Sequence, residues 1–335
     1  MLPLLELKNI SKDYGCSERL TGKEDSDFHV LRNVNFAINP GESIGLIGES
    51  GCGKTTLAKI AAGLVNPTQG QVLYSGKNIK SFNFEDMQRV RKDVQIIFQS
   101  SQSIFNPYHT IGKSLRQALE NFEKLSKNEM EKRITAILDK VGLDSSFALR
   151  YPEKLSGGQR QRANIARALI VQPRLIICDE PVASLDFSIR KKTLDMLKGL
   201  IQEMSLTCLF ISHDISTVYY TCQKVAVMYQ GVMLEWFPLT PDRHLGPVHP
   251  YSRSLLDCVP VSHPARRIKG REKRLAEPEQ KVLFRKGCVF YERCPHSQPG
   301  CGKQAPALQP LAEGHFVACH RYHLQENISV QQVVL

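Results

Sequence analysis

The most specific chemistry in this chain sits in Gly48-Glu49-Ser50-Gly51-Cys52-Gly53-Lys54-Thr55, which satisfies G-x-x-x-x-G-K-[ST] at every fixed position. Glycines let backbone N–H groups turn inward around phosphates, and a helix beginning just beyond presents its positive end to them. Lys54 has the reach for β- and γ-phosphates, and the Thr55 hydroxyl, followed by Thr56, suits Mg²⁺. The motif follows a short apolar run at residues 43–47 and opens a helical pattern at 55–63. That context predicts a nucleoside triphosphate site.

A second site element is Leu175-Ile176-Ile177-Cys178-Asp179-Glu180-Pro181, an apolar strand pattern ending in paired carboxylates. In a parallel sheet such a strand delivers its acids to the edge where a phosphate loop also lies. Asp179 suits outer coordination of Mg²⁺, and Glu180 suits orienting and polarising an attacking water. Cys178 reads as a small buried apolar residue. Between the two elements stands Leu155-Ser156-Gly157-Gly158-Gln159-Arg160-Gln161-Arg162, a second glycine-rich anion cradle at a helix start.

The elements that must position these groups alternate. Residues 4–10 read as an edge strand, 11–29 as a polar hairpin or loop, and 43–47, 95–98, 175–178 and 207–212 as strands. Helical patterns cover 55–63 and 189–204, and they dominate 110–167, where Leu115, Leu119 and Phe122 share a face. Alternation of this kind predicts an α/β fold with a parallel sheet covered on both faces. The helical stretch, about 100–167, reads as an inserted subdomain.

Composition sets outer limits. The 335 residues, 42% hydrophobic and 23% charged, describe a globular chain with a substantial core. No apolar run approaches the roughly 20 residues of a spanning helix, and the amino-terminal run is broken at Glu6 and Lys8, unlike a signal peptide. A cytoplasmic location is expected. The net charge of +11 suggests an anionic contact, and much of it lies in the basic stretch 266–274, which also reads as a solvated linker. Of ten cysteines, Cys16, Cys52, Cys178, Cys208, Cys222 and Cys258 are scattered, whereas Cys288, Cys294, Cys301 and Cys319 lie close together. Reduced thiols in a cytoplasmic chain favour a metal site over a disulfide frame for that cluster.

Taken in order, the phosphate loop, Gln99 after a strand, the Leu-Ser-Gly-Gly-Gln string at 155–159, Asp179-Glu180, Ala183-Ser184-Leu185-Asp186 and His213 resemble the ABC ATPase family. The resemblance implies a P-loop ABC ATPase fold with an N-terminal antiparallel β part, and head-to-tail pairing with a second ATPase subunit. It further implies that ATP is clasped between one phosphate loop and the other subunit's Ser156, Gly157, Gly158 and Gln159. It casts His213 as a holder of the attacking water and γ-phosphate, Gln99 as a Mg²⁺ sensor, Asp186 as a bridge between sites, and Tyr14 as the adenine-stacking aromatic, with Phe28 as the weaker candidate.

Finer strings narrow the resemblance. Tyr151-Pro152, Val225-Ala226-Val227-Met228-Tyr229, His249-Pro250-Tyr251, Leu255-Leu256 and Pro260 resemble oligopeptide and dipeptide importer ATPases, and Ile176 to Val182 favours the second of their two ATPase subunits. An ABC ATPase domain at 1–245 and an importer-type extension at 246–335 are implied. So are two transmembrane permeases, an extracytoplasmic peptide-binding protein, no nucleic acid, and a peripheral place on the cytoplasmic face of the inner membrane. Nickel or glutathione import, or peptide export, are the alternatives.

The final cysteines are spaced C-x5-C-x6-C-x17-C, unlike C-x2-C zinc ribbons. Four thiolates can hold Zn²⁺ or an iron–sulfur cluster, and the resemblance tilts toward a structural [4Fe–4S] cluster. Departures from the family pattern are Ser100-Ser101 where Asp-Pro is usual, the Ala183-Ser184 swap, Gln223 for Asp, and Trp236-Phe237 in place of a Glu/Gly-type turn.

Overall fold

A computed structural model describes residues 2–14, 28–99, 104–183, 185–239, 246–257 and 286–322. Cys16, Ser100, Ser101, Ser184, Cys258, Pro260, the basic stretch 266–274 and the side chain of Phe28 lie outside the described residues. In chain order the strands are β1 (Leu5–Tyr14), β2 (Phe28–Ile38), β3 (Ser43–Ile47), β4 (Gln69–Tyr74), β5 (Lys77–Asn78), β6 (Val94–Ile97), β7 (Leu175–Asp179), β8 (Thr207–Ile211), β9 (Lys224–Tyr229), β10 (Val232–Pro238), β11 (Gln309–Ala312) and β12 (His315–Val317). The helices are α1 (Lys54–Ala61), α2 (Phe84–Asp93), α3 (Ile111–Glu120), α4 (Lys127–Lys140), α5 (Gly157–Leu169), α6 (Phe187–Glu203), α7 (Ile215–Thr221) and α8 (Pro250–Asp257).

The larger sheet runs β11-β12-β10-β9-β3-β8-β7-β6, and β9, β3, β8, β7 and β6 are parallel neighbours. All residues of β3, β7 and β8 are buried, as continuous apolar runs predict for strands covered on both faces. Alternation divides the core. Ile176, Cys178, Cys208 and Phe210 pack with α5, α6 and the helical insert, while Leu175, Ile177, Leu209 and Ile211 pack with α1 and the smaller sheet. The reading of Cys178 as a buried apolar residue holds, since it is fully enclosed.

The smaller sheet, ordered β2-β1-β4-β5, is antiparallel throughout. It corrects the expected edge strand at 4–10. β1 lies between β2 and β4 and continues to Tyr14, opposite Phe28, so part of the expected loop 11–29 is strand. Register shifts and the left-handed Asn9 (φ 52°) break the simple alternation there. The polar residues 11–13 are held by cross-strand partners distant in sequence, such as Thr68 Oγ1, which accepts from the Asp13 N–H at 3.0 Å.

The helical insert comprises α3, α4, two short 3₁₀ turns and the start of α5. Ile111, Leu115 and Leu119 of α3 are fully buried against Ile134 and Leu138 of α4. Thr110 caps α3, and Ser126 with Glu129 forms a capping box at the start of α4. Phe122 packs at the rim of this core.

The carboxyl-terminal region builds onto the larger sheet, with β12 pairing β10 and β11 pairing β12. The departures Trp236 and Phe237 belong to this seam. Trp236 meets Phe36 edge-on at 5.1 Å and pairs with Phe316, and Phe237 is buried beside His315 at 5.7 Å. Gln223 ties β9 to β3, exchanging hydrogen bonds with the Ser43 backbone. The joint is fastened by a buried polar cluster. Glu235 accepts from the Val248 N–H at 2.7 Å and the His249 N–H at 3.2 Å, and its Oε1 lies 2.8 Å from His315 Nε2.

Burial pushes His249 down to about 4 from the ordinary 6.5, against the opposing pull of Glu235. The unfolded chain therefore takes up a proton that the folded chain refuses. The contribution of His249 is intact above pH about 6.5 and drains as pH falls toward about 4. Urea unfolding between pH 7 and 4 is expected to show falling stability, with a shallower slope in His249→Asn.

Candidate functional site

The phosphate loop leaves β3 at Ile47 and enters α1 at Lys54. Gly53 precedes the helix with φ +103°, and no side chain caps α1, so its first N–H groups face the loop. Lys54 is buried, and its Nζ donates to the Gly48 and Glu49 carbonyls, each at 2.8 Å. The Glu49 N–H donates to Tyr251 Oη at 2.9 Å, and its carboxylate accepts from Arg293 Nη1 at 2.9 Å. Burial works against the Arg293 cation, but hydrogen bonds to Tyr229 and Glu49 outweigh it and hold the group charged.

Parallel neighbours bring the remaining groups to this loop. A cleft of about 500 Å³ is lined by Val30, Ser50, Gly51, Gly53, Lys54, Thr55, Thr56, Gln99, Asp179, Glu180 and His213. Gln99 follows β6, Asp179 ends β7, and His213 follows β8. Asp179 is nearly enclosed, and burial pushes its carboxyl up against the hydrogen bond from Thr55 that holds it down. A buried carboxylate beside a hydroxyl and an amide is an oxygen donor set that fits a hard divalent cation. Glu180 takes a left-handed backbone (φ 50°), a conformation costing roughly 1 kcal/mol, and its N–H is tied to the Ile211 carbonyl at 2.9 Å. Its Oε1 faces His213 Nδ1 at 2.9 Å.

Other expected site residues lie elsewhere. Ser156 caps α5 in a box with Gln159, and Ser156 and Gly157 are exposed while Gly158 is buried. None of the four lines the cleft. Asp186 is exposed at the start of α6. Tyr14 is exposed at the end of β1 under the Lys12 ammonium, 5.0 Å from its ring centre, and does not line the cleft. Gly48 and Cys52 are buried within the loop, and burial raises the Cys52 thiol. Sequence reasoning missed Val30, which β2 supplies, and the Tyr251 and Arg293 contacts, which no local spacing signals.

Residues 31–183 match the ABC transporter family, and residues 245–301 match the C-terminal region of oligopeptide/dipeptide transporters. The chain is 39% identical over 324 residues to the oligopeptide transport ATP-binding protein AppF of Bacillus subtilis (strain 168), covering 95% of this chain and 97% of that one. It belongs to the ABC transporter family of oligopeptide transport ATP-binding proteins. This ATP-binding protein is also 38% identical over 292 residues to OppF of Haemophilus influenzae (strain ATCC 51907 / DSM 11121 / KW20 / Rd), spanning 87% and 88% of the two chains. Its fold matches the ATP-binding cassette MJ0796, solved as a post-hydrolysis dimer bound to ADP and Pi. The TM-score is 0.62 at 29% identity, over 70% of this chain and 99% of that one. The chain is an ABC-type ATPase.

The four late cysteines share one lobe. Burial and then their mutual proximity push the Cys288 thiol up to about 11, and burial with the neighbouring thiols raises Cys319, in each case against a backbone hydrogen bond. The expectation of an iron–sulfur or zinc centre is not supported by the arrangement. Among the described residues no three His, Cys, Asp or Glu side chains converge to hold a metal ion. Cys294 ends one short turn and Cys301 lies in another, and the Cys288 N–H donates to the Cys301 carbonyl at 2.7 Å.

Gly53 and Gly51 make a contrasting pair. A Cβ on Gly53 would lie 2.8 Å from the Val30 carbonyl, whereas one on Gly51 (φ +77°) meets nothing within 4 Å. Gly53→Ala is expected to weaken MgADP binding by more than about tenfold, and Gly51→Ala by less, because Gly51→Ala carries only the backbone cost. Equilibrium titration with MgADP checks the order.

Proposed function

We propose that this ATPase powers the import of oligopeptides, as one of two nucleotide-binding subunits bound to a pair of membrane permeases and served by an extracytoplasmic peptide-binding protein. The observation that carries the chemistry is the Glu180–His213 pair, standing in the same cleft as Lys54, Thr55 and Asp179. The peptide cargo is supported by the C-terminal match and by the relatives' oligopeptide transport names.

In this reading Lys54 and the loop N–H groups bind the β- and γ-phosphates, and Thr55, Gln99 and Asp179 hold Mg²⁺. When bound, the cation neutralises developing phosphate charge. Glu180 orients and polarises the attacking water, and His213, kept at 2.9 Å from that carboxylate, keeps it aligned and reaches toward the γ-phosphate. The exposure of Ser156 and Gly157 outside the cleft supports their pairing with ATP held by a second ATPase subunit, identical or related, with Gly158 and Gln159 shaping the turn and Asp186 at the junction. Tyr14, exposed at a strand end, is assigned to adenine. No helix among the described residues is long and apolar enough to cross a membrane, which suits a peripheral subunit on the cytoplasmic face.

In vesicles carrying the assembled transporter, Glu180→Gln is expected to lower ATP turnover by about 100-fold or more and to stop peptide uptake, while ATP still binds. Undiminished ATP-driven uptake in that variant would refute the assignment. The [4Fe–4S] reading, with zinc as its alternative, rests on the C-terminal match and on four thiols in one lobe. Iron, sulfide and zinc analysis of anaerobically purified protein tests it: iron with sulfide supports the cluster, zinc without iron supports the alternative, and neither metal refutes both.

A further inference from the structure

Glu49, the second residue of the phosphate loop, is gripped from three sides. Its N–H donates to Tyr251, its carbonyl accepts from Lys54, and its carboxylate accepts from Arg293. Tyr251 and Arg293 lie 202 and 244 residues further along the chain. We propose that the carboxyl-terminal lobe is a working part of the nucleotide site, with Arg293 and Tyr251 as positioning residues that act through Glu49 to set where Lys54 meets the phosphates. This requires only that Lys54 binds nucleotide phosphate, and it is independent of the cargo.

The grip is built for stiffness. Arg293 is only 13% exposed and its guanidinium sits 5.5 Å from the Tyr229 ring centre and 5.9 Å from that of Phe290, so packing fixes its end of the pair while the Glu49 carboxylate, 34% exposed, keeps contact with solvent. The same Nη1 donates to Tyr229 Oη at 3.1 Å, which fixes the fork in two directions. Behind it, Tyr229, Tyr251 and Phe290 form a closed triangle of rings with centroids 4.6, 5.3 and 5.4 Å apart. Tyr251 and Phe290 are fully buried, so neither shifts without repacking the core. Because Lys54 Nζ rests on the Gly48 and Glu49 carbonyls, any rotation of the Glu49 peptide moves the ammonium as well.

Coupling of this kind is reciprocal. Nucleotide on the phosphate loop must steady the lobe, and Cys288 and Cys294, which flank Phe290 and Arg293, are reporters already in place. In MgADP titrations of the full-length chain, Arg293→Ala is expected to weaken binding about tenfold, and less than about twofold on a Glu49→Ala background, since the contact is then already broken. Arg293→Lys falls between, and Tyr251→Phe weakens binding while keeping the ring packing. Lys54→Ala separates the two ideas. Unchanged MgADP affinity in that variant would refute the phosphate-loop reading itself. MgADP is also expected to slow alkylation of Cys288 and Cys294 in the native chain and not in Glu49→Ala. That variant changes the loop and leaves the lobe's aromatic core untouched, so it remains readable if Arg293→Ala does not fold. Native affinity in folded Arg293→Ala, additive effects of the two substitutions, or alkylation rates indifferent to MgADP would overturn the proposal.

Discussion

The site depends on strand order. β6, β7, β8 and β3 lie side by side and parallel, so the segments leaving their carboxyl ends must emerge on one edge of the sheet. That single constraint brings Gln99, Asp179, Glu180, His213 and the phosphate loop to a common cleft from four distant stretches of chain. The burial of β3, β7 and β8 keeps the edge rigid, and the helices on either face supply the apolar surface that the strands cover.

Much of this was legible in the residues. The phosphate loop, the apolar run into Asp179-Glu180 and His213 carry their chemistry in local spacing, and apolar runs with no alternation announced strands buried on both faces. Leu115 and Leu119 marked the inner face of a helix by period alone, and both are fully buried. What escaped detection depended on partners far away in sequence. Residues 11–13 have the polarity of a loop and form a strand because β2 and residues near Thr68 supply the bonds. β11 and β12 are too short to signal themselves, and exist as strands because β10 offers an edge to pair with. The Glu49 contacts span more than two hundred residues, beyond the reach of any motif.

The carboxyl-terminal region consequently has two attachments of different character. One is an edge-strand extension fastened by the buried Glu235, His249 and His315 cluster, where satisfied hydrogen bonds make burial of a carboxylate tolerable. The other is the aromatic triangle and the Arg293 fork, which reach the phosphate loop itself. Four thiols occupy the same lobe, and Arg293 and Tyr251 carry its contact to Glu49 of the phosphate loop.

A single chain presents Lys54, Asp179 and Glu180 in one cleft and Ser156 on a separate exposed turn, an arrangement in which, as proposed, each bound ATP is completed by another chain. The most direct measurement is a structure of the assembled transporter carrying Glu180→Gln with MgATP. The terminal phosphate of each nucleotide is expected between Lys54 on one side and the Ser-Gly-Gly turn of the neighbouring ATPase subunit on the other. A terminal phosphate fully enclosed by one chain, with that turn remote from it, would rule out completion of the site by a second subunit.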